Sequence, residues 1–110
     1  MFKLSFYVPV SHVDAVKAAL FETGAGCIGD YEHCCWQTLG EGQFKPLKGS
    51  QPHIGELGKL EKVAEYKVEL VCDSSNIKSA ITALRRSHPY EEPAYDIVQL
   101  VDLDKVEGKL

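Results

Sequence analysis

Hydrophobic residues in this chain recur at every second position, then at every third or fourth, then at every second again, and the cycle runs twice. This double change of period constrains the fold more than any motif. A period of two buries one face of a strand, and a period near 3.6 buries one stripe of a helix. Phe2, Leu4, Phe6 and Val8 share a strand face that Pro9 ends. A helix is predicted from Ser11, with Asp14 three residues on as a weak capping box. Its apolar stripe is Val13, Val16 and Leu20, with Ala19 beside it, and Gly24 stops it. Tyr31 to Leu39 reads as a second strand, with Cys34 and Trp36 on one face and Tyr31, His33, Cys35 and Gln37 on the other. Lys62 to Cys72 reads as a third. Ala64, Tyr66, Val68, Leu70 and Cys72 are apolar on one side of it, and Glu65, Lys67 and Glu69 lie on the other. Asp73, Ser74 or Ser75 caps a second helix with Ile77, Ile81 and Leu84 buried, and Pro89 forbids its continuation from about Ser87. Ala94 to Asp102 is the last strand, and the charged tail DKVEGKL is expected to be loose. Between Leu39 and Glu61, glycines with Pro46 and Pro52 interrupt regular structure, with a short extra strand expected over Gln43 to Leu47.

The order β-α-β-β-α-β makes two β-α-β halves, an α+β ferredoxin-like sandwich in which a four-stranded antiparallel sheet carries two helices on one face. The 110 residues form one domain, 1–110, large enough for its own core. The last strand is apolar on both sides, Tyr95, Ile97 and Val101 against Val98 and Leu100. Helices cover only one side of a sheet, so a second copy of the chain is expected over the other.

The net charge of −4 and the lack of a basic run argue against a nucleic-acid partner. Arg85 and Arg86 instead suit a helix C-terminus. The opening MFKLSFYVPVSHVD is neither a signal peptide nor a membrane span, which predicts a cytoplasmic protein. The four cysteines are then expected as reduced thiols.

The stretch TGAGCIGDYEHCCW contains a G-x-G-x-x-G at Gly24, Gly26 and Gly29. A dinucleotide turn must open a helix, whose N-terminus faces the pyrophosphate. These glycines follow a helix and open a strand, so a structural handover explains them. His33, Cys34, Cys35, His12, His53 and His88 are candidate metal ligands, yet no C-x2-C or H-x3-H pair occurs. His33 and Cys35, two apart on a strand, would form a partial site for a divalent metal ion, with Cys34 as the alternative thiol and His88 or a carboxylate completing it. In the competing reading Cys34 is a core residue beside Trp36, and Cys35 lies at an oligomer interface.

In HPYEEPAY, Pro89 and Pro93 stiffen a turn that carries His88, Tyr90, Glu91 and Glu92. So many ionisable groups on a rigid turn suit ligand binding. They also suit acid–base chemistry, with His88 or Glu91 as the base of a small hydrolase-type enzyme. Equally, Glu91 and Glu92 could be solvated turn residues while Tyr90 and Tyr95 pack.

Taken together, Gly24 through Cys34, Gly40-Glu41-Gly42-Gln43-Phe44-Lys45-Pro46, Pro52-His53-Ile54-Gly55 and His88 through Asp96 resemble the inserted domain of a dinuclear-metal family. That family is known as GTP cyclohydrolase I type 2, or Ngg-interacting-factor-three-like. The resemblance implies a CutA-like and PII-like fold, homo-oligomers (trimers or dimers) and a long loop between the second and third strands. It also implies a position over a metal site whose ligands belong to a larger body. This chain lacks that body's ligand motifs, so its catalytic activity does not carry over. The resemblance thus implies a stand-alone ligand-binding or regulatory module. Its working surface would be HPYEEPAY and the glycine-rich turn, taking a small anion, a nucleotide or a metal ion at a subunit boundary.

Overall fold

The computed structural model describes residues 1–105. Its elements are β1 (Phe2–Pro9), a 3-10 turn (Val10–His12), α1 (Val13–Glu22), β2 (Trp36–Phe44), β3 (Glu61–Cys72), α2 (Ile77–Ser87), β4 (Tyr95–Gln99) and a second 3-10 turn (Leu103–Lys105). The sheet order is β2-β3-β1-β4, antiparallel throughout, with α1 packed beside α2. This is the ferredoxin-like order that the two β-α-β halves require.

The core forms where the alternation predicts it. Leu4, Phe6 and Val8 of β1 meet Val68, Leu70 and Cys72 of β3, and Val13, Val16 and Leu20 of α1 close over them with Ala80 and Leu84 of α2. Ile77 and Ile81 are only partly buried at its margin. Register fixes the faces, because directly paired antiparallel residues share one side. Phe6 opposes Val68 and Tyr95 on the helix side, while Tyr7 opposes Lys67 on the open side. On that open side Lys3 bonds Glu69 at 3.0 Å, and Trp36 donates its indole N–H to Thr38 at 3.0 Å. The Lys3 partnership, joined by Lys67, lowers the Glu69 pKa against its desolvation.

The second strand is displaced from its predicted place. It begins at Trp36 rather than Tyr31, and it runs on to Phe44, absorbing most of the expected extra strand. The cause is backbone conformation. Gly24, Gly26 and Gly29 have φ of 92°, 82° and 55°, and His33 has φ 58°, all in the left-handed region that a strand does not use. The chain therefore turns through this stretch, with Gly26 N–H bonding Val71 O and Cys34 N–H bonding Gly26 O, both at 2.8 Å. Trp36 is 68% exposed, so Cys34 does not share a core face with it.

Other boundaries shift for local reasons. Ser11 Oγ bonds His12 Nδ1 at 2.7 Å instead of capping, and α1 starts at Val13. Residues 73–76 make a turn closed by Asn76 N–H to Asp73 O, so Asn76 precedes α2 and no side chain caps it. β4 ends at Gln99, and Leu100 N–H bonds Met1 O at 3.0 Å, which sets the two ends of the sheet's chain side by side. The expected loose tail lies outside the described residues beyond Lys105. Among the described residues no helix is long and apolar enough to cross a membrane.

Leu84 is fully buried, whereas Val101 is 75% exposed. Leu84→Ala should cost about 2–5 kcal/mol of unfolding free energy, and Val101→Ala no more than about 0.5 kcal/mol. Urea denaturation of both variants checks the assigned core.

Candidate functional site

α2 ends at Ser87, and His88 leaves the helix with φ −74° and ψ 136°, the extended conformation that a following proline imposes. The turn that follows is pinned to β1 at both ends. His88 Nε2 lies 2.7 Å from the Tyr7 carbonyl oxygen, and the Tyr7 N–H bonds Ala94 O at 3.3 Å. A carbonyl only accepts, so Nε2 carries the proton. Nδ1 is then free to accept the Tyr90 N–H, 3.1 Å away. Both ring nitrogens are used and the residue is 6% exposed. His88 therefore positions the turn rather than facing a ligand. Desolvation pulls its pKa below the ordinary histidine value, assisted by His12 and His53 and opposed by the Tyr7 carbonyl and Glu65.

Tyr90, which this bridge holds, faces a cleft of about 530 Å³ at one end of the sheet's open side. Tyr7 of β1, Phe44 at the end of β2, His53 of the loop after it, Glu65 of β3 and the turn residues Tyr90, Glu91 and Glu92 line it. Phe44 and His53 stand 6.0 and 6.4 Å from the Tyr90 ring, tilted to it by 53° and 49°. His12 packs edge-on against His53 at 5.4 Å. The loop is tied to the turn where Gln51 N–H bonds Glu91 Oε1 at 3.3 Å.

Two features of the cleft are chemically unusual. The Tyr90 hydroxyl is buried and meets no partner at full hydrogen-bond geometry, although the Glu65 carboxylate lies close enough to interact with it. Burial, and then the nearby Glu65 carboxylate, hold its pKa well above the usual phenol value. Glu65 itself lies across β2 at Gly42, where any Cβ would run into its carboxylate. Glycine at 42 is what lets that charge reach the cleft.

The structure thus gathers Tyr90, Glu91 and Glu92 at the cleft, with His88 immediately behind it. It does not bring His33 or Cys35 there. Cys34 and Cys35 border a second hollow of about 480 Å³ with Lys3, Trp36 and Glu69, near the opposite end of β1. His33 stacks on Phe21 at 4.7 Å, and His33 and Cys35 no longer share a strand face, since β2 starts after both. Among the described residues no three His, Cys, Asp or Glu side chains converge as a metal site. The glycines serve as a handover: Gly24 N–H bonds Phe21 O at 3.1 Å to close α1, and a Cβ on Gly26 would meet Cys34 O at 2.9 Å. Sequence reasoning missed Tyr7, Gly42, Phe44 and Glu65. The one local signal for them was the G-x-G of Gly40 and Gly42 inside a strand, which marks a close approach.

No protein-family model matches the chain. A GTP cyclohydrolase 1 type 2 homolog of Mycobacterium leprae is 50% identical over 99 residues, covering 90% of this chain and 26% of that protein. The crystal structure of a Bacillus cereus protein related to NIF3 superposes with a TM-score of 0.78 at 39% identity, over 92% of this chain and 26% of that one. The periplasmic divalent cation tolerance protein CutA of Archaeoglobus fulgidus superposes over all of this chain and 88% of its own, with a TM-score of 0.63 at 15% identity, which is a likeness of fold. The chain spans about a quarter of the length of the curated relatives it matches.

The depressed pKa of His88 gives a signed pH dependence. The unfolded histidine, titrating near 6.5, binds its proton before the folded one does. The stability that neutral His88 contributes is therefore present above about pH 6.5 and is lost as pH falls through the lower folded value, by at most about 1.4 kcal/mol per pH unit. Chemical denaturation from pH 7.5 to 5 should show a shallower loss in His88→Phe than in the wild type. Equal slopes would mean that His88 titrates normally.

Proposed function

We propose that this chain, which matches one domain's length of the GTP cyclohydrolase 1 type 2 homologs related to NIF3, is a self-associating, ligand-binding module of regulatory type. The observation that carries the reading is the cleft where the HPYEEP turn meets the β2–β3 loop, about 530 Å³ and walled by Tyr7, Phe44, Glu65 and Tyr90. A concave site of this size with apolar walls and a few converging polar groups is the usual form of a small-molecule site. One wall is braced on β1 through His88, and Glu91 accepts from Gln51 of the other. A braced, partly apolar cleft suits binding. The one buried histidine of the turn has both nitrogens occupied, which does not suit a general base.

Self-association is proposed for the open side of the sheet. Trp36 and Val98 stand 68% and 53% exposed there, beside the Lys3–Glu69 pair. Aromatic groups ringed by charge are typical of the surfaces that proteins bury against one another. The GTP cyclohydrolase activity named for the relatives is that of proteins about four times as long, and it forms no part of this proposal.

A thermal-shift screen of small polar metabolites tests the binding reading. At least one compound should raise the Tm of the wild type and lose its effect in Gly42→Val, whose side chain would occupy the space that the Glu65 carboxylate now fills. If no stabilising compound depends on Gly42, the cleft is not the binding site. For assembly, native mass spectrometry should give a dimer or trimer that Trp36→Glu weakens by about tenfold or more in dissociation constant. A strict monomer at micromolar concentration would refute self-association.

A further inference from the structure

We propose that the cleft takes a small organic cation: a protonated amine carried on an apolar or aromatic body. This rests on reading the cleft as a ligand site and names the class of ligand.

Charge is the first argument. Three carboxylates, Glu65, Glu91 and Glu92, line the cleft against one lysine, Lys45. The Glu65 carboxylate is half-buried, and among the described residues it has no salt-bridge partner. Away from bulk water such a group attracts a cation strongly and repels an anion. The walls are the second argument. The rings of Phe44 and His53 are each tilted to that of Tyr90, by 53° and 49°, so ring faces are offered from more than one direction. Electron-rich ring faces arranged around a void recognise ammonium groups.

The size and the donor set separate an organic cation from a metal ion. About 530 Å³ is room for a small molecule rather than one ion. Among the described residues no three metal-ligating side chains converge. The apolar body would lie along Phe44, Pro46 and Pro52, with its ammonium end at Glu65.

Three probes of nearly equal shape decide the matter: phenethylamine, 2-phenylethanol and 3-phenylpropionate, titrated into the full chain and followed by amide NMR. Phenethylamine should shift the amides of Gly42, Phe44, Tyr90 and Ala94 saturably, with a Kd about tenfold below that of either isostere. Glu65→Gln should remove most of that preference for phenethylamine over 2-phenylethanol. If Glu65→Gln does not fold, salt replaces it: 0.5 M NaCl should erode the preference in the wild type, because screening weakens the charge term alone. Equal or tighter binding of 3-phenylpropionate, or a preference that survives both Glu65→Gln and salt, overturns the proposal but leaves the cleft a ligand site. Silence from all three probes overturns both.

Discussion

Leu4, Phe6 and Val8 are wholly excluded from solvent beneath α1 and α2, and the strand that carries them is bonded on both sides, to β3 and to β4. Because successive residues of a strand face opposite ways, burying this stripe also dictates what the intervening residues do. Tyr7 is one of them. Its ring lines the cleft, its carbonyl accepts from His88, and its amide donates to Ala94. The site is therefore not an appendage on a loop. The turn that forms its wall is clamped to the central strand, and the hydrophobic core holds that strand. A ligand would meet walls whose ordering cost folding has already met.

The architecture was legible in the sequence because it rests on periodicity, and periodicity reports burial directly. Leu4, Phe6, Val8, Val68, Leu70 and Leu84 are buried as their spacing requires. The failures cluster in one place. Tyr31 to Cys35 looks like a strand to any rule that counts alternating residues, yet His33 stands at φ 58° in a tight turn. Three glycines just before it had already committed the backbone to left-handed conformations, and two of them engage in contacts from other elements: Asn76 beside Gly24, and Val71 bonded to Gly26. Those partners lie about fifty residues away along the chain, beyond the reach of a local pattern. The metal-site expectation inherited this error, because it depended on His33 and Cys35 lying on one strand face.

The candidate site was half visible for a related reason. HPYEEP announced itself by composition, and Tyr90, Glu91 and Glu92 do border the cleft. His88 reads from composition as a ligand-facing residue, and its contacts, Tyr7 O on one ring nitrogen and Tyr90 N–H on the other, show only in three dimensions. Glu65 read as an ordinary outward charge on an amphipathic strand. Its importance comes from Gly42 on the neighbouring strand, whose missing side chain lets the carboxylate lie across β2. Pairwise features of this kind are written in sheet register, and register cannot be read from one strand alone.

The hydrogen bond from Leu100 N–H to Met1 O has a consequence for architecture on a larger scale. The residue before β1 and the residue after β4 thus lie on one rim of the sheet, a hydrogen bond apart. Such a unit can be spliced into a surface loop of a host protein without prying the host's own strands or helices apart, since the loop's two stubs need only be neighbours.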